Sequence, residues 1–525
     1  MTRATWIFII GLTAIRLSIL PTKDLSGDEA HYFMWSERLA PAYFSKGPGV
    51  AFAIRASTEL FGPNEFGVRF FSPLLAAGTS LLLFYFARKL FSGTAAFWSI
   101  VALNLTPLFS VGAFVMTIDP LSIFFWVAAM IAFWYALERA PETSLYWPLT
   151  GLLVGLGFLC KYTNALEILS ILLVLAIAPR LRGEFKRPGL YWLLGIFVVC
   201  TLPPFIWNAQ HAWITLAHLR ARGGLDEGAA GIHPVELVEF LGAHFLFYSP
   251  LIFLAVAWGV IASGRRVHQQ FKSLFLFWFG VPVFAFYFLL SINKAAAPNW
   301  DALAFPSLGL LAVQYWRERV ERTPWLQTTA AIALGLSLAM SVLALDSDLI
   351  RSAGMHLWRR DPSKRVRGWA TGTAALEKLR HDLEAQLGEK VFLIADDRDR
   401  ASEISFYLRD KRVEGPKHPP VYLVESQDLV NQFSFWPRYD EFVDLAKNTA
   451  AAPNDAESFT EGGMNPFAGR SALFIRDGEN GSLVHNVRAA FDKCQPVAII
   501  ETRRFGEKLR TWRIFLCRGY RTLPL

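Results

Sequence analysis

The 525-residue sequence has only four cysteines, and none has CxxC spacing. A disulfide scaffold is excluded: Cys160 and Cys200 fall in apolar segments, which leaves Cys494 and Cys517 as the one pair able to bridge outside a membrane. Metal-ligand spacings are missing as well, with no HExxH, no paired His and Cys and no EF-hand loop, so no metal is expected. There is no Walker loop and no GxGxxG after a strand, so the chain shows no means of using a nucleotide directly, and no cofactor is expected. Acidic and basic tails are absent, and nothing suggests nucleic acid.

Charge is scarce in one part of the chain. Residues 1–345 hold 24 Lys and Arg with 18 Asp and Glu, about 12% of positions, whereas residues 346–525 hold 28 and 26, about 30%. What fills the gap is apolar: 53% of the chain is hydrophobic, with 44 Phe and 18 Trp, and the mean hydropathy is +0.31. That is too apolar for one soluble globule. The division predicts a membrane domain over 1–345 and a soluble domain over 346–525.

Apolar runs long enough to cross a bilayer recur at 4–20, 70–87, 94–114, 120–137, 146–160, 163–179, 190–208, 240–262, 273–291, 300–316 and 325–345, about eleven spans. The first has no A-x-A cleavage site and more spans follow, so it is read as an uncleaved helix. With Arg3 cytoplasmic, the short loops carrying Arg88 and Lys89, Arg139, Arg180 to Arg187, Arg265 to Lys272, and Arg317 to Arg322 all fall inside, as the positive-inside rule requires. The soluble part then lies outside, in the periplasm of a bacterium. Short apolar runs at 391–395, 420–424, 472–475 and 497–500 read as strands and 373–387 as an amphipathic helix, so that part is expected to be a small α/β domain.

The same alternation puts five polar knots on the outer face: the loop around Asp28, Thr117 to Pro120, Lys161 to Asn164, Asn208 to His211, and Lys294 to Asp301. Ionisable groups at membrane depth are costly and suggest a functional cavity. In the first loop, Ser26 and Glu29 form a capping-box signature, and Pro41 and the run Gly47-Pro48-Gly49 separate it from a second helical segment at 50–61. Both segments are expected to be interfacial helices, with Asp28 near a helix N-terminus, where the macrodipole favours negative charge.

Blander readings stand beside these. Asp28 and Glu29 also fit ordinary helix-start chemistry, Asp119-Pro120 fits an N-cap before a first-turn proline, and the lysines fit snorkelling anchors. Taken jointly, two carboxylates, several cations and aromatic faces suit transfer of a sugar from a lipid phosphate. A carboxylate can take the acceptor's proton, and cations can stabilise the departing phosphate. The rival reading is a transporter or lipid flippase, which would show inverted repeats and broken helices, and neither is evident in the sequence.

The runs Asp28-Glu29-Ala30-His31-Tyr32, Tyr43-Phe44-Ser45-Lys46-Gly47-Pro48, Val68-Arg69-Phe70, Ile118-Asp119, Gly157 to Tyr162 and Ala297-Pro298-Asn299-Trp300 occur in that order. Together they resemble the GT-C membrane glycosyltransferases, and within them the bacterial protein mannosyltransferase-like family that includes the lipid A aminoarabinose transferases. The resemblance extends to Ser402–Tyr407 and 432–436 in the tail. It implies an inverting enzyme that uses a polyprenyl-phosphate sugar and an acceptor on lipid A, lipopolysaccharide or protein, in the inner membrane. Asp28 and Asp119 match the two acidic positions, with Glu29 beside the first. His31, Tyr32, Tyr43, Lys46, Arg69, Lys161, Lys294, Asn299 and Trp300 are the expected contacts to donor phosphate or substrate. One departure stands out: His31 occupies the place of an Arg in the aminoarabinose transferases. A phosphate contact there would be weaker and pH-dependent, which argues against aminoarabinose as the sugar.

Overall fold

A computed structural model describes residues 1–225, 231–352, 362–412, 419–424, 429–440, 465 and 467–521. The chain forms two compact units, and the division is not a single cut. One unit is Met1–Pro21 with Leu39–His356, and the other is Thr22–Arg38 with Leu357–Leu525. The stretch carrying Asp28 therefore belongs with the C-terminal residues rather than with the helices that flank it in sequence.

The first unit is helical and belongs to a multi-pass membrane protein. Among the described residues, six helices are long and apolar enough to span: Thr2–Thr22, Glu65–Leu90, Ile118–Glu138, Pro188–Gln210, Phe271–Leu290 and Pro324–Leu345. Two bent pairs raise the number to eight if each counts as one span. The expected eleven is therefore not confirmed, and the reasons are local. The 94–114 run breaks where Thr106 turns extended and Pro107 starts a separate short helix. The 240–262 run breaks by 114° around Ser249, which takes a φ of +66° before Pro250 restarts the helix. Phe305–Arg322, which replaces the expected 300–316 span, puts five charges in its last two turns. Broken helices are thus present after all.

The Ile118–Glu138 helix runs through the middle of the core, where Trp126, Met130 and Phe133 are fully buried. Its neighbour Tyr146–Cys160 crosses Pro188–Gln210 closely because Gly151 and Gly155, four residues apart, present no side chain. A Cβ at Gly151 would lie 2.2 Å from the Leu193 carbonyl oxygen, and one at Gly155 would lie 2.5 Å from Cys200 Cβ. Gly151→Leu is expected to cost about 1–3 kcal/mol through overpacking, read as a lower melting temperature in detergent.

The second unit is α/β, as expected. Its five strands are β1 (Val391–Ala395), β2 (Tyr422–Leu423), β3 (Ser471–Asp477), β4 (Phe491–Arg504) and β5 (Glu507–Tyr520). They lie in the order β2-β1-β3-β5-β4, with β1 parallel to β2 and β3, and β5 antiparallel to β3 and β4. β1 is buried at all five residues, as an unbroken apolar run requires of a central strand. β4 and β5 form a hairpin across Phe505 and Gly506, both at positive φ. Cys494 and Cys517 are register partners in that hairpin and form a disulfide.

The helices Trp369–Leu387, Arg398–Tyr407 and Gly27–Ser36 also belong to this unit. Gly368 cannot cap the first of them with a side chain. Asp24 does so instead, accepting from Trp369 N–H at 2.7 Å.

Candidate functional site

In the membrane unit the structure brings together three of the five polar knots. Asp119 is the second residue of Ile118–Glu138, and the cap is Thr117, whose hydroxyl accepts the Asp119 N–H. This corrects the N-cap reading and leaves the Asp119 carboxylate for other partners. Lys161 ends the Tyr146–Cys160 helix in an extended conformation, with its own N–H bonded back to Gly157. Its ammonium donates to Asp119 Oδ1 at 2.8 Å, the Asn299 carbonyl at 3.2 Å and the Trp300 carbonyl at 3.4 Å. Asn299 closes the ring by donating its side-chain amide to Asp119 Oδ2 at 2.8 Å.

An ammonium has three N–H groups, and all three are used. Lys161 is therefore a buried hub rather than a free phosphate ligand. It ties the start of one helix, the end of another and the 299–300 turn together. The loop bearing Lys46 lies against the same helix end, because Gly47 and Gly49 pass over Leu159 and Cys160 so closely that a Cβ would fall 2.2 and 2.5 Å from them.

A second buried pair supports the 299–301 turn. His244 faces the Phe240 carbonyl with Nδ1 at 2.7 Å and Asp301 Oδ2 with Nε2 at 2.8 Å, and its ring stacks on Tyr248. Beside this turn is a cavity of about 420 Å³ lined by Arg222, Glu239, Phe240, Lys294, Ala297 and Trp300, among others. Its size suits a sugar-sized ligand. The Arg222 guanidinium lies 4.9 Å from the Trp300 ring centroid, so one charged edge and one aromatic face meet there.

Other expected ligands in this unit are placed differently. Arg69 is fully buried, donating to the Leu20 carbonyl at 3.0 Å and lying over Phe114, so it anchors the end of the first helix. The Tyr43 hydroxyl accepts the Ala40 N–H, and burial pushes its pKa up to about 12 against the lowering effect of that bond. It is a neutral staple of the loop. Asn208 and His211 bond within their own helix end, to Pro204 and Trp207.

The second unit holds the other group. The Ser26 capping box forms: Ser26 N–H donates to Glu29 Oε2 at 2.9 Å while its hydroxyl faces Glu29 N–H. Glu29 is fully buried in that role, which accounts for its carboxylate without catalysis. The expected phosphate ligand His31 is buried as well, with Nδ1 3.1 Å from Ser402 Oγ and its ring stacked on Phe433. Burial, and then the Arg398 charge, hold His31 well below the usual histidine range. A neutral imidazole in an aromatic nest offers a phosphate no charge. Tyr32 packs edge-on against Trp35. Asp28 is different: its side chain is 54% exposed, and Arg398 Nη2 donates to its Oδ1 at 3.1 Å.

Sequence reasoning missed Arg222, His244, Asp301 and Arg398. Of these, His244 was signalled as an ionisable residue inside an apolar run, and Asp301 lay in a motif already singled out.

Comparison with known proteins fits this arrangement. Residues 45–207 match the family model described as dolichyl-phosphate-mannose-protein mannosyltransferase. The lipid A galacturonosyltransferase RgtD of Rhizobium johnstonii is 26% identical over 81% of this chain and 86% of its own length. In fold, the chain follows the crystal structure of ArnT from Cupriavidus metallidurans bound to undecaprenyl phosphate over 99% of both chains, with a TM-score of 0.61 at 17% identity. These likenesses support reading the chain as a membrane glycosyltransferase with a GT-C fold. Another relative is the undecaprenyl phosphate-alpha-4-amino-4-deoxy-L-arabinose arabinosyl transferase 2 of Proteus mirabilis, 25% identical over 60% of this chain. This chain spans a little over half of that relative, 58% of its length. The transporter alternative is not favoured, despite the broken helices.

Proposed function

We propose that this transferase moves a sugar from a polyprenyl-phosphate donor to lipid A, lipopolysaccharide or a related envelope acceptor, with inversion, at the periplasmic face of the bacterial inner membrane. The observation that carries the reading is the Asp119, Lys161 and Asn299 hub, set beside a cavity that offers Arg222, Lys294 and the face of Trp300. The relatives' named activities, on lipid A and with undecaprenyl-phosphate sugars, fit that chemistry. A periplasmic second unit is supported by the Cys494–Cys517 disulfide, which needs an oxidising compartment.

In this mechanism the hub fixes the 299–300 turn, Trp300 stacks on the sugar, and Arg222, Lys294 and Lys46 neutralise the donor phosphate. Asp28 accepts the proton of the acceptor hydroxyl. The oxygen attacks the anomeric carbon, the bond from that carbon to the phosphate oxygen breaks, and the lipid phosphate leaves with the electron pair. If the acceptor is itself a phosphate, it arrives ionised and Asp28 orients it.

Arg222→Ala is expected to raise the KM for the donor roughly 10-fold or more by removing a charged contact to phosphate, with a smaller effect on kcat, measured with labelled donor in proteoliposomes. The reading as a whole is tested by mass spectrometry of envelope glycolipids from a deletion strain. One glycosyl mass should be lost and should return with the wild-type gene. An unchanged glycolipid and glycoprotein profile would overturn it.

A further inference from the structure

The helix carrying Asp28 is built as part of the soluble unit. Gly27–Ser36 lies against Arg398–Tyr407 along its length, with both N-termini at the same end. Gly27 meets Asp399 so closely that a Cβ would lie 2.6 Å from its Cγ, His31 meets Ser402, and Phe33 sits edge-on to Phe406 at 4.9 Å. Positions 399, 402 and 406 form one helical face. Just before this helix, Leu25 N–H donates to the Tyr407 hydroxyl at 2.7 Å, and Asp24 caps the Trp369–Leu387 helix. The soluble residues thus fix the position and pitch of the helix on which Asp28 rides.

We propose that Arg398 is a positioning residue for the transfer reaction, and that the soluble domain supplies it to hold and orient the Asp28 carboxylate. The proposal rests on the reading of Asp28 as the acceptor-activating group. Arg398 Nη2 donates to Asp28 Oδ1 while its Nε lies 3.2 Å from Asp399 Oδ1, so the guanidinium sits between two carboxylates. Asp397 caps the helix below by accepting from the Asp399 and Arg400 N–H groups, which fixes the backbone that carries Arg398. With Oδ1 engaged, Asp28 Oδ2 has no partner among the described residues and is the oxygen left to face an acceptor.

Exposure argues that this ion pair is not there for stability. The Arg398 side chain is 40% exposed and Asp28 54%, and pairs so open to solvent contribute little to folding. Orientation is another matter, since small misplacements of a reacting group cost large factors in rate.

The test uses full-length protein in proteoliposomes with labelled polyprenyl-phosphate sugar and lipid A, and four variants: Arg398→Ala, Arg398→Lys, Asp28→Asn and the Asp28→Asn/Arg398→Ala double. Arg398→Ala should lower kcat roughly 10- to 100-fold while leaving the donor KM and the melting temperature unchanged. Arg398→Lys should keep intermediate activity, and millimolar guanidinium ion should restore part of the Arg398→Ala rate but none of the Asp28→Asn rate. The double variant should be no slower than Asp28→Asn alone. Full activity of Arg398→Ala beside an inactive Asp28→Asn would overturn the inference and leave the mechanism standing. An active Asp28→Asn would bring down the mechanism and the inference together. If Arg398→Ala proves poorly folded, Arg398→Lys decides: wild-type kcat supports a pure charge clamp, and a loss as deep as Asp28→Asn with a lowered melting temperature assigns Arg398 to the fold instead.

Discussion

Asp28→Asn is expected to lower the transfer rate by about 10²–10⁴-fold, the range general-base catalysis supplies, with little change in melting temperature or membrane insertion. The side chain is more than half exposed. Asparagine keeps its shape and can still fill the space at the start of the Gly27–Ser36 helix. The cap itself is made by Ser26 and Glu29, not by Asp28, so the helix should persist. Substrate contacts elsewhere stay intact, and the donor KM should move little while kcat falls. Steady-state transfer by the purified variant, with circular dichroism as the folding control, checks this.

Lys161→Met should behave in the opposite way, failing first in stability. Lys161 and Asp119 are 8% and 15% exposed, with the ammonium bonded to one carboxylate and two carbonyls. Removing one partner of a buried pair typically costs about 3–5 kcal/mol, because the remaining charge is left without compensation. The Asn299 and Trp300 carbonyls lose their shared donor at the same time, so the turn that presents Trp300 should loosen and activity should fall. The double variant Lys161→Met/Asp119→Leu removes both charges and should recover part of the melting temperature without recovering transfer. A single variant as stable as wild type would show that the hub does not hold these elements together.

These expectations show which parts of the molecule the sequence makes visible. Local chemistry is legible: Ser26 and Glu29 form their capping box, and the unbroken apolar run at 391–395 becomes a central strand. Asp119, Lys161 and Asn299 were each singled out, and they meet. Hydropathy does not reveal where an apolar run bends, so the breaks at Thr106 and Ser249 pass unseen, and both turn on backbone conformation at single residues. The Phe505-Gly506 turn is hidden for a similar reason, since phenylalanine seldom adopts positive φ. Lys46, Arg69 and Lys161 carry the same sequence signal of a cation near membrane depth. Only the partners distinguish them: Arg69 holds the Leu20 carbonyl, while Lys161 has every N–H engaged. His31 reads as a phosphate contact until its aromatic surroundings are known. Arg398 stands 370 residues from Asp28, and no local pattern links them.

The most direct measurement of the central claim is transfer by the purified full-length protein in vesicles of defined lipid, supplied only with radiolabelled polyprenyl-phosphate sugar and lipid A. Labelled lipid A and free polyprenyl phosphate should appear in equal amounts. Label that crosses the bilayer still attached to its polyprenyl phosphate, with no label on lipid A or on any added envelope acceptor, would contradict the account and favour a flippase.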